Sequence, residues 1–174
     1  MKRFLNNNHI IPEICNIQFP IKMIGTPIRT QDKRIYRDVD KLFKIFNTMR
    51  TATPIPNKKE PWAFVAISRA FKDDGSWEYL IGDVVNDLTL VPEGWTAREI
   101  PAGYYAKFII QPKFNFLWGL VIGMMKRYIY TEWLPASAYD ISGQDIAEFE
   151  YHDERSVGKK PMIELYVSIK QKSE

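Results

Sequence analysis

The chain has 174 residues, 45% of them apolar and 26% charged, with a formal net charge of +3. That length fits one domain, and the composition is typical of a folded globular protein. The small net charge, without a run of Lys or Arg, gives no indication of direct nucleic acid binding. Cys15 is the single cysteine, which excludes an internal disulfide and predicts a reducing, cytoplasmic environment.

No stretch of the sequence predicts a leader peptide or a membrane span. Polar residues at positions 6–9 interrupt any apolar leader core. The longest apolar run, residues 117–125, is far shorter than the about 20 residues that a membrane-spanning helix needs. We predict a flexible N-terminal tail over residues 1–12 and a single domain over residues 13–174, with no membrane partner.

The first half of the domain, residues 13–90, predicts the order strand, helix, strand, strand. Pro20 and Gly25 interrupt the first strand, which is therefore expected to be bent or bulged. The helix is amphipathic, because apolar residues recur at spacings of three and four. The last two strands flank a turn that contains Gly75 and form a hairpin. These elements are predicted at residues 13–28, 34–50, 62–70 and 77–85.

The second half, residues 94–172, repeats this order. Its first strand is expected to be kinked at residues 101–103, and its elements are predicted at residues 95–110, 115–133, 145–152 and 162–170. A unit of this kind covers one sheet face with its helix and leaves the other face bare. We therefore predict an α+β fold of duplicated β-α-β-β units, with pseudo-twofold symmetry, antiparallel sheets, one helix per unit and a ligand cleft at the seam where the bare faces meet.

The strand over residues 145–152 carries the strongest functional signal, because its side chains alternate between an apolar and a polar set. The apolar set is Ala147, Phe149 and Tyr151, and the polar set is Glu148, Glu150 and His152. We predict that Phe149 belongs to the core and that the polar set faces the seam. A carboxylate walled by aromatic rings attracts an organic cation, so Glu150 is the main binding candidate. Burial among rings would raise the pKa of its carboxyl.

Four motifs in chain order resemble the GyrI-like effector-binding domain, the small-molecule-binding module of multidrug-sensing bacterial transcription regulators. They are YLIGDVV at 79–85, VPEGW with IPAGYYAKF at 91–95 and 100–108, WLPASAY at 133–139 and FEYHD at 149–153. The likeness spans residues 15–170 and is greatest to standalone, integron-associated proteins similar to the sensor half of an AraC-type regulator. The chain departs from the pattern at Met125 and Lys126, which hold the candidate positions for a tryptophan that relatives often carry. Either an aromatic wall for a cation would be absent here, or the lysine would disfavour cationic ligands.

The resemblance implies a cationic or planar aromatic, drug-like small molecule as the ligand. It implies that Glu150 meets the positive charge of this ligand, while further contacts come from Tyr166, Tyr105, Phe108, Trp133 and Tyr79. A core position remains the alternative for Phe108 and for Tyr79. The resemblance also implies a role in transcription regulation or multidrug sensing, in which a separate regulator protein would bind DNA in trans.

Other chemistry has weaker support in the sequence. His9, His152 and Cys15 are scattered, so no metal site is predicted, and no phosphate-binding or dinucleotide-binding glycine motif predicts a cofactor. One alternative is a hydrolase of reactive small electrophiles, with Glu150 as general base and Tyr166 as its partner. Another is a module that binds a protein, such as an inhibitor of a DNA-processing enzyme. The sequence leaves both alternatives open.

Overall fold

In a computed structural model, which describes residues 10–61 and 63–172, nine strands form one antiparallel sheet. The α+β class predicted from the sequence is therefore confirmed. Most of the predicted tail, residues 1–9, and the predicted strand start at Trp62 lie outside the described residues. Within the described ranges, no helix combines the length and the apolar character needed to cross a membrane.

The chain contains nine strands and three α-helices within the described residues. The strands are β1 Glu13–Ile17, β2 Ile21–Gln31, β3 Phe64–Arg69, β4 Ser76–Val85, β5 Thr96–Ile100, β6 Gly103–Ile110, β7 Tyr139–Ile141, β8 Ile146–His152 and β9 Ile163–Gln171. The helices are α1 Ile35–Ala52, α2 Trp118–Tyr128 and α3 Leu134–Ala136, with a π-helical turn Ile129–Trp133 between α2 and α3. Short 3-10 turns lie at Asn115–Leu117 and Glu154–Val157. The sequence analysis did not predict β7 or the π-helical turn.

Two bent strands shape the sheet. β1 runs into β2 across Pro20, and β5 runs into β6 across Pro101. Proline has a fixed φ and no amide hydrogen, so a ladder stops at each of these positions. β1 pairs with β6, and β2 pairs with β5. The bent strand of the first half therefore pairs with the bent strand of the second half on both sides of its bend. The strand order is β1-β6-β9-β8-β3-β4-β2-β5, and the sheet curls because its two ends are linked by these strands.

The helix-free face of the curled sheet encloses an apolar inner core. Its fully buried members come from six different strands and are Met23, Val65, Ile67, Leu80, Val84, Ile100, Tyr105, Ile146 and Phe149. Burying side chains of this size is the main source of stability in a domain of this length. Phe149 lies in this core, as the sequence predicts.

The other face of the sheet carries the helices. Leu42 and Phe46 of α1 pack over β2 and β4, whereas Val121 and Met125 of α2 pack over β6 and β9. The two halves join through the antiparallel pair β3–β8, which lies between these two packing regions. As a result, the centre of this face lies between the two helices and remains partly open.

Glu148 and Glu150 lie on this helix-covered face, and the prediction that they face the seam between the bare faces is wrong. Strand alternation fixes them opposite Phe149, and Phe149 occupies the inner core. Ala147 was also predicted on the Phe149 side, but it lines the open centre with the two glutamates. The register between β3 and β8 shifts at this point, where Ser68 pairs with Glu148 but Arg69 pairs with Ile146. Such a bulge reverses the alternation of side chains locally.

Candidate functional site: a cleft between the two helices

The open centre of the helix-covered face is a cleft of about 1360 Å³. One wall comes from α1, the other from α2, and the floor comes from β3, β4 and β8. Aromatic side chains in the lining are Tyr36, Phe43, Phe71, Trp77, Tyr79, Phe116 and Tyr130. A concave, mainly apolar site with a few polar groups is what a small organic ligand requires.

Small side chains on β3 create space at the floor. Ala66 pairs with Glu150 of β8, and Ser68 lies between Glu148 on one side and Tyr79 on the other. Directly opposed residues in a sheet have Cβ atoms about 4.5–5.5 Å apart, so a large side chain at either β3 position would fill the floor. The short side chains leave the carboxylates and the Tyr79 hydroxyl at the bottom of the cleft.

The two carboxylates of the floor share one internal cation. The Nζ atom of Lys126 lies 2.7 Å from Glu148 Oε1 and 2.9 Å from Glu150 Oε1. The second oxygen of Glu148 accepts a hydrogen bond of 2.8 Å from the Tyr130 hydroxyl. The second oxygen of Glu150 lies 3.3 Å from His152 Nε2. Both carboxylates are almost completely buried, and paired contacts of this kind offset the cost of burying their charge.

This pairing reverses the pKa direction predicted for Glu150. Burial by itself would raise the pKa of the Glu150 carboxyl, but the Lys126 charge and the contact with His152 together lower it to about 2. Burial would also lower the pKa of Lys126, yet Glu148 and Glu150 hold it well above its ordinary value. The expectation of a raised Glu150 pKa is wrong because the sequence does not show that an ammonium group lies between the carboxylates.

The two floor tyrosines remain protonated donors. Burial, followed by the charge of Glu150, raises the pKa of Tyr79 well above its ordinary value. Burial, followed by the charge of Glu148, likewise raises the pKa of Tyr130. Both hydroxyls are therefore uncharged donors at neutral pH, and the Tyr130 hydroxyl donates to Glu148.

The upper parts of the cleft are aromatic. Phe71 and Trp77 stack with ring centres 5.8 Å apart and planes at 21°. Within the described part of the chain, the indole N–H of Trp77 is buried without a hydrogen-bond partner. From α1, the ring of Tyr36 lies against Gly119 of α2, where an added Cβ would come within 2.7 Å of it. Tyr36 and Gly119 thus bring the two helices together over one side of the cleft.

Only part of the predicted ligand set lies together. Glu150 and Tyr79 line the cleft floor. Tyr166 stacks on Phe149 at the inner core, with ring centres 4.5 Å apart. Tyr105 is also in the inner core, where its hydroxyl donates to the carbonyl of Pro101. Because Tyr166 pairs with Phe149 and not with Glu150 across β8–β9, it is on the opposite sheet face from the carboxylate.

The other two predicted residues pack beneath α2. Phe108 is buried in the core beneath α2, which agrees with the core alternative for this residue. Its ring makes an edge-to-face contact with the ring of Trp133, with ring centres 5.1 Å apart. Trp133 is the last residue of the π-helical turn and also stacks with Tyr139. Neither residue lines the cleft. Their side chains fill the end of the α2 core, a position that a family motif in the sequence cannot distinguish from a pocket wall.

Most residues of the site were absent from the predicted set, among them Lys126, Tyr130 and Trp77. A signal for the first two of these exists in the sequence. Ile122, Lys126 and Tyr130 are each four positions apart, which places a Lys and a Tyr on the same side of a largely apolar helix as Ile122. Trp77 has no comparable signal, because its place in the lining depends on how α1 lies over β4.

Solved structures share this fold. An integron cassette protein from the mobile metagenome of Vibrio cholerae superposes with a TM-score of 0.59 and 12% identity, covering 94% of this chain and 100% of that chain. SAV2435 bound to tetraphenylphosphonium has a TM-score of 0.66 and 12% identity, covering 91% and 93%. The C-terminal domain of EcmrR has a TM-score of 0.62 and 14% identity, covering 94% and 99%. At such identities the likeness shows the fold alone.

The family is shown by the sequence itself. No curated protein sequence matches the chain at a significant level. A family model does match it over residues 20–169, which is most of the domain and includes both helices of the cleft and its floor strands. This range also contains the four motifs that carry the GyrI-like resemblance. The chain therefore belongs to the Cass2 family of integron-associated effector binding proteins.

Proposed function

We propose that the protein binds a planar, aromatic organic molecule with one positive charge in the cleft between α1 and α2. The observation that carries this proposal is the floor: two buried carboxylates lie at the bottom of a cleft that is lined by apolar side chains and several aromatic rings. The charged residues that line it are four acids and two bases, namely Asp32, Asp40, Glu148, Glu150, Lys126 and Arg127. This balance favours a cation over an anion.

The relatives support a binding role. Effector binding is the description of the family, and SAV2435 was solved with tetraphenylphosphonium, an aromatic cation. EcmrR, which shares the fold, has also been solved in a complex with DNA, and this supports a role in transcription regulation for the present chain. A separate DNA-binding partner for this chain remains a prediction.

The geometry argues against Glu150 as a general base. A general base works best when its pKa is near the operating pH. The pKa of Glu150 is lowered to about 2, and its oxygens already contact Lys126 and His152. Proton abstraction by Glu150 would therefore have little driving force, and binding without turnover is the better account of the site.

The test uses two probes of nearly equal shape, N-methylacridinium, which is a cation, and N-methylacridone, which is neutral. Calorimetric titration should give saturable, one-site binding of both, with the cation bound more tightly. Phe71→Ala should weaken both by about 2- to 10-fold, the value of one aromatic contact. Phe19→Ala is the matched control, because Phe19 is also exposed but lies outside the cleft.

Absence of saturable binding for both probes would overturn the proposal. Equal losses in Phe71→Ala and Phe19→Ala would place the binding site elsewhere, which would overturn it as well. Tighter binding of the neutral probe than of the cation would contradict the proposed charge class.

A further inference from the structure

The position best suited to a ligand's cation is already filled by the protein. Lys126 Nζ contacts Glu148 at 2.7 Å and Glu150 at 2.9 Å, so it lies between the two carboxylates. An ammonium group has three N–H donors, and two of them point into the floor towards these carboxylates. Two carboxylates and one ammonium leave a single negative charge.

The source of this cation is α2, which also forms a wall of the cleft. The Lys126 side chain is 24% exposed, whereas the side chains of Glu148 and Glu150 are 6% and 5% exposed. The lysine therefore covers the carboxylates on the side from which a ligand enters. A ligand that approaches the floor therefore meets the ammonium group and not an open acidic pair.

Resting on the binding function proposed above, we propose that Lys126 is the specificity-determining residue of the cleft. Its ammonium group occupies the site between Glu148 and Glu150 that a ligand's cationic group would take, so that the cleft accepts ligands with one positive charge and disfavours those with two. Removal of the ammonium group opens this site to the ligand.

Lys126→Met tests the proposal, since methionine has a similar length and no charge. We expect the affinity for N-methylacridinium to rise by about 10- to 100-fold, the range of one charge-assisted contact, and the affinity for N-methylacridone to change by less than about 3-fold. Methyl viologen, a planar dication, should gain at least as much as the monocation. Lys126→Arg keeps the charge, so the affinity for N-methylacridinium should rise by less than it does in Lys126→Met.

Lys113→Met is the control for a general change in protein charge. Lys113 is an exposed lysine outside the cleft, so its loss changes the net charge equally but is screened by salt. The affinity for either acridine should change by less than about 3-fold in this variant.

A double variant shows whether the effect of Lys126 comes from the position that its ammonium group occupies or from the net charge of the floor. It also tests the proposal if Lys126→Met alone fails to fold. Lys126→Met with Glu148→Gln leaves one carboxylate, so the floor keeps the wild-type charge while the position beside Glu150 is vacant. We expect N-methylacridinium to bind the double variant about 10-fold more tightly than the wild type. Affinity equal to that of the wild type would overturn the proposal.

Failure of this inference is distinguishable from failure of the binding function. If the wild type binds neither acridine, the binding function itself is wrong. If the wild type binds both probes but neither Lys126→Met nor the double variant changes the ratio of their affinities, the cleft binds ligands and Lys126 does not determine the ligand charge.

Discussion

Phe149 and Glu150 are neighbours on β8, but their surroundings differ in every respect. Phe149 lies in the inner core, where its ring stacks on Tyr166 with planes at 4° and meets the edge of Tyr105. Glu150 lies on the cleft side, where it contacts Lys126 and His152. The inner side is held by packing that is complete within the chain. The cleft side is held by charge pairs next to an open volume, and only such a surface can accept a ligand.

Loss of the Phe149 ring should have the largest effect. Phe149→Ala removes a fully buried aromatic side chain and leaves a cavity, so we expect a loss of about 3–5 kcal/mol in the free energy of unfolding. Urea denaturation measures this loss. The ratio of affinities for the two acridine probes should stay constant in the remaining folded protein, since the ring lies on the other side of the sheet. Wild-type stability would show that the inner core does not depend on this stack.

Acid should weaken the cleft side in a defined pH window. The pKa of Glu150 is lowered from 4.5 to about 2, so the folded protein holds this proton less tightly than the unfolded chain does. The resulting stability is fully present above about pH 4.5 and is lost as the pH falls towards 2. The shift corresponds to stability on the order of 3 kcal/mol.

The measurement compares urea denaturation of the wild type and Glu150→Gln between pH 7 and pH 2.5. Glutamine cannot titrate, so the difference in unfolding free energy between the two proteins should shrink as the pH falls. The groups that face Glu150 are Lys126, His152 and Tyr79. A difference that stays constant with pH would show that the Glu150 carboxyl does not carry this stability.

Sequence periodicity predicted that Phe149 and Glu150 lie on opposite sides of β8 but could not tell which side the helices cover. Alternation correctly separated Phe149 from Glu150, and prolines at positions 20 and 101 correctly marked the bends in the two long strands. Alternation does not tell which side the helices cover. That depends on how β3 and β8 pair, and this pairing joins residues that are far apart in the chain.

The same limit explains why the polar partners of Glu150 were missed. Lys126 was expected to disfavour cationic ligands, but its contact with the glutamates could not be predicted, because that contact depends on the position of α2 over the sheet. The bulge that turns Ala147 towards the cleft likewise has no signal in an apolar-polar pattern. Local order was therefore predictable, whereas the charge balance of the site was not.

Neutralising Glu150 should have a smaller effect that appears in binding. Glu150→Gln keeps the shape of the side chain and leaves Glu148 paired with Lys126, so the floor loses its remaining negative charge. We expect the affinity for N-methylacridinium to fall about 10-fold, at the low end for a charge-assisted contact because Lys126 already shields the carboxylate. N-methylacridone should change little. Equal losses for the two probes in calorimetry would show that Glu150 shapes the cleft and does not pair with charge.

The smallest effect is expected where the two helices meet. Gly119→Ala should favour α2 by up to about 1 kcal/mol, because alanine is the better helix former. Its new Cβ would lie 2.7 Å from Cε1 and 2.9 Å from Cδ1 of Tyr36, which is closer than such atoms can approach. Tyr36 is 62% exposed, so its ring can move outwards at little cost. The net change in unfolding free energy should therefore stay within about 1 kcal/mol.

Movement of Tyr36 would change an uncharged wall of the cleft. We therefore expect Gly119→Ala to weaken both acridine probes equally, by about 3-fold, which corresponds to part of one aromatic contact. Gly123→Ala is the matched control one helical turn later, where the added Cβ would lie 3.4 Å from the Tyr36 hydroxyl, so the ring needs to move less and the loss should be smaller. A larger loss for the cation than for the neutral probe would mean that Tyr36 acts on the charged floor, and the separation between an aromatic wall and a charged floor would then be wrong.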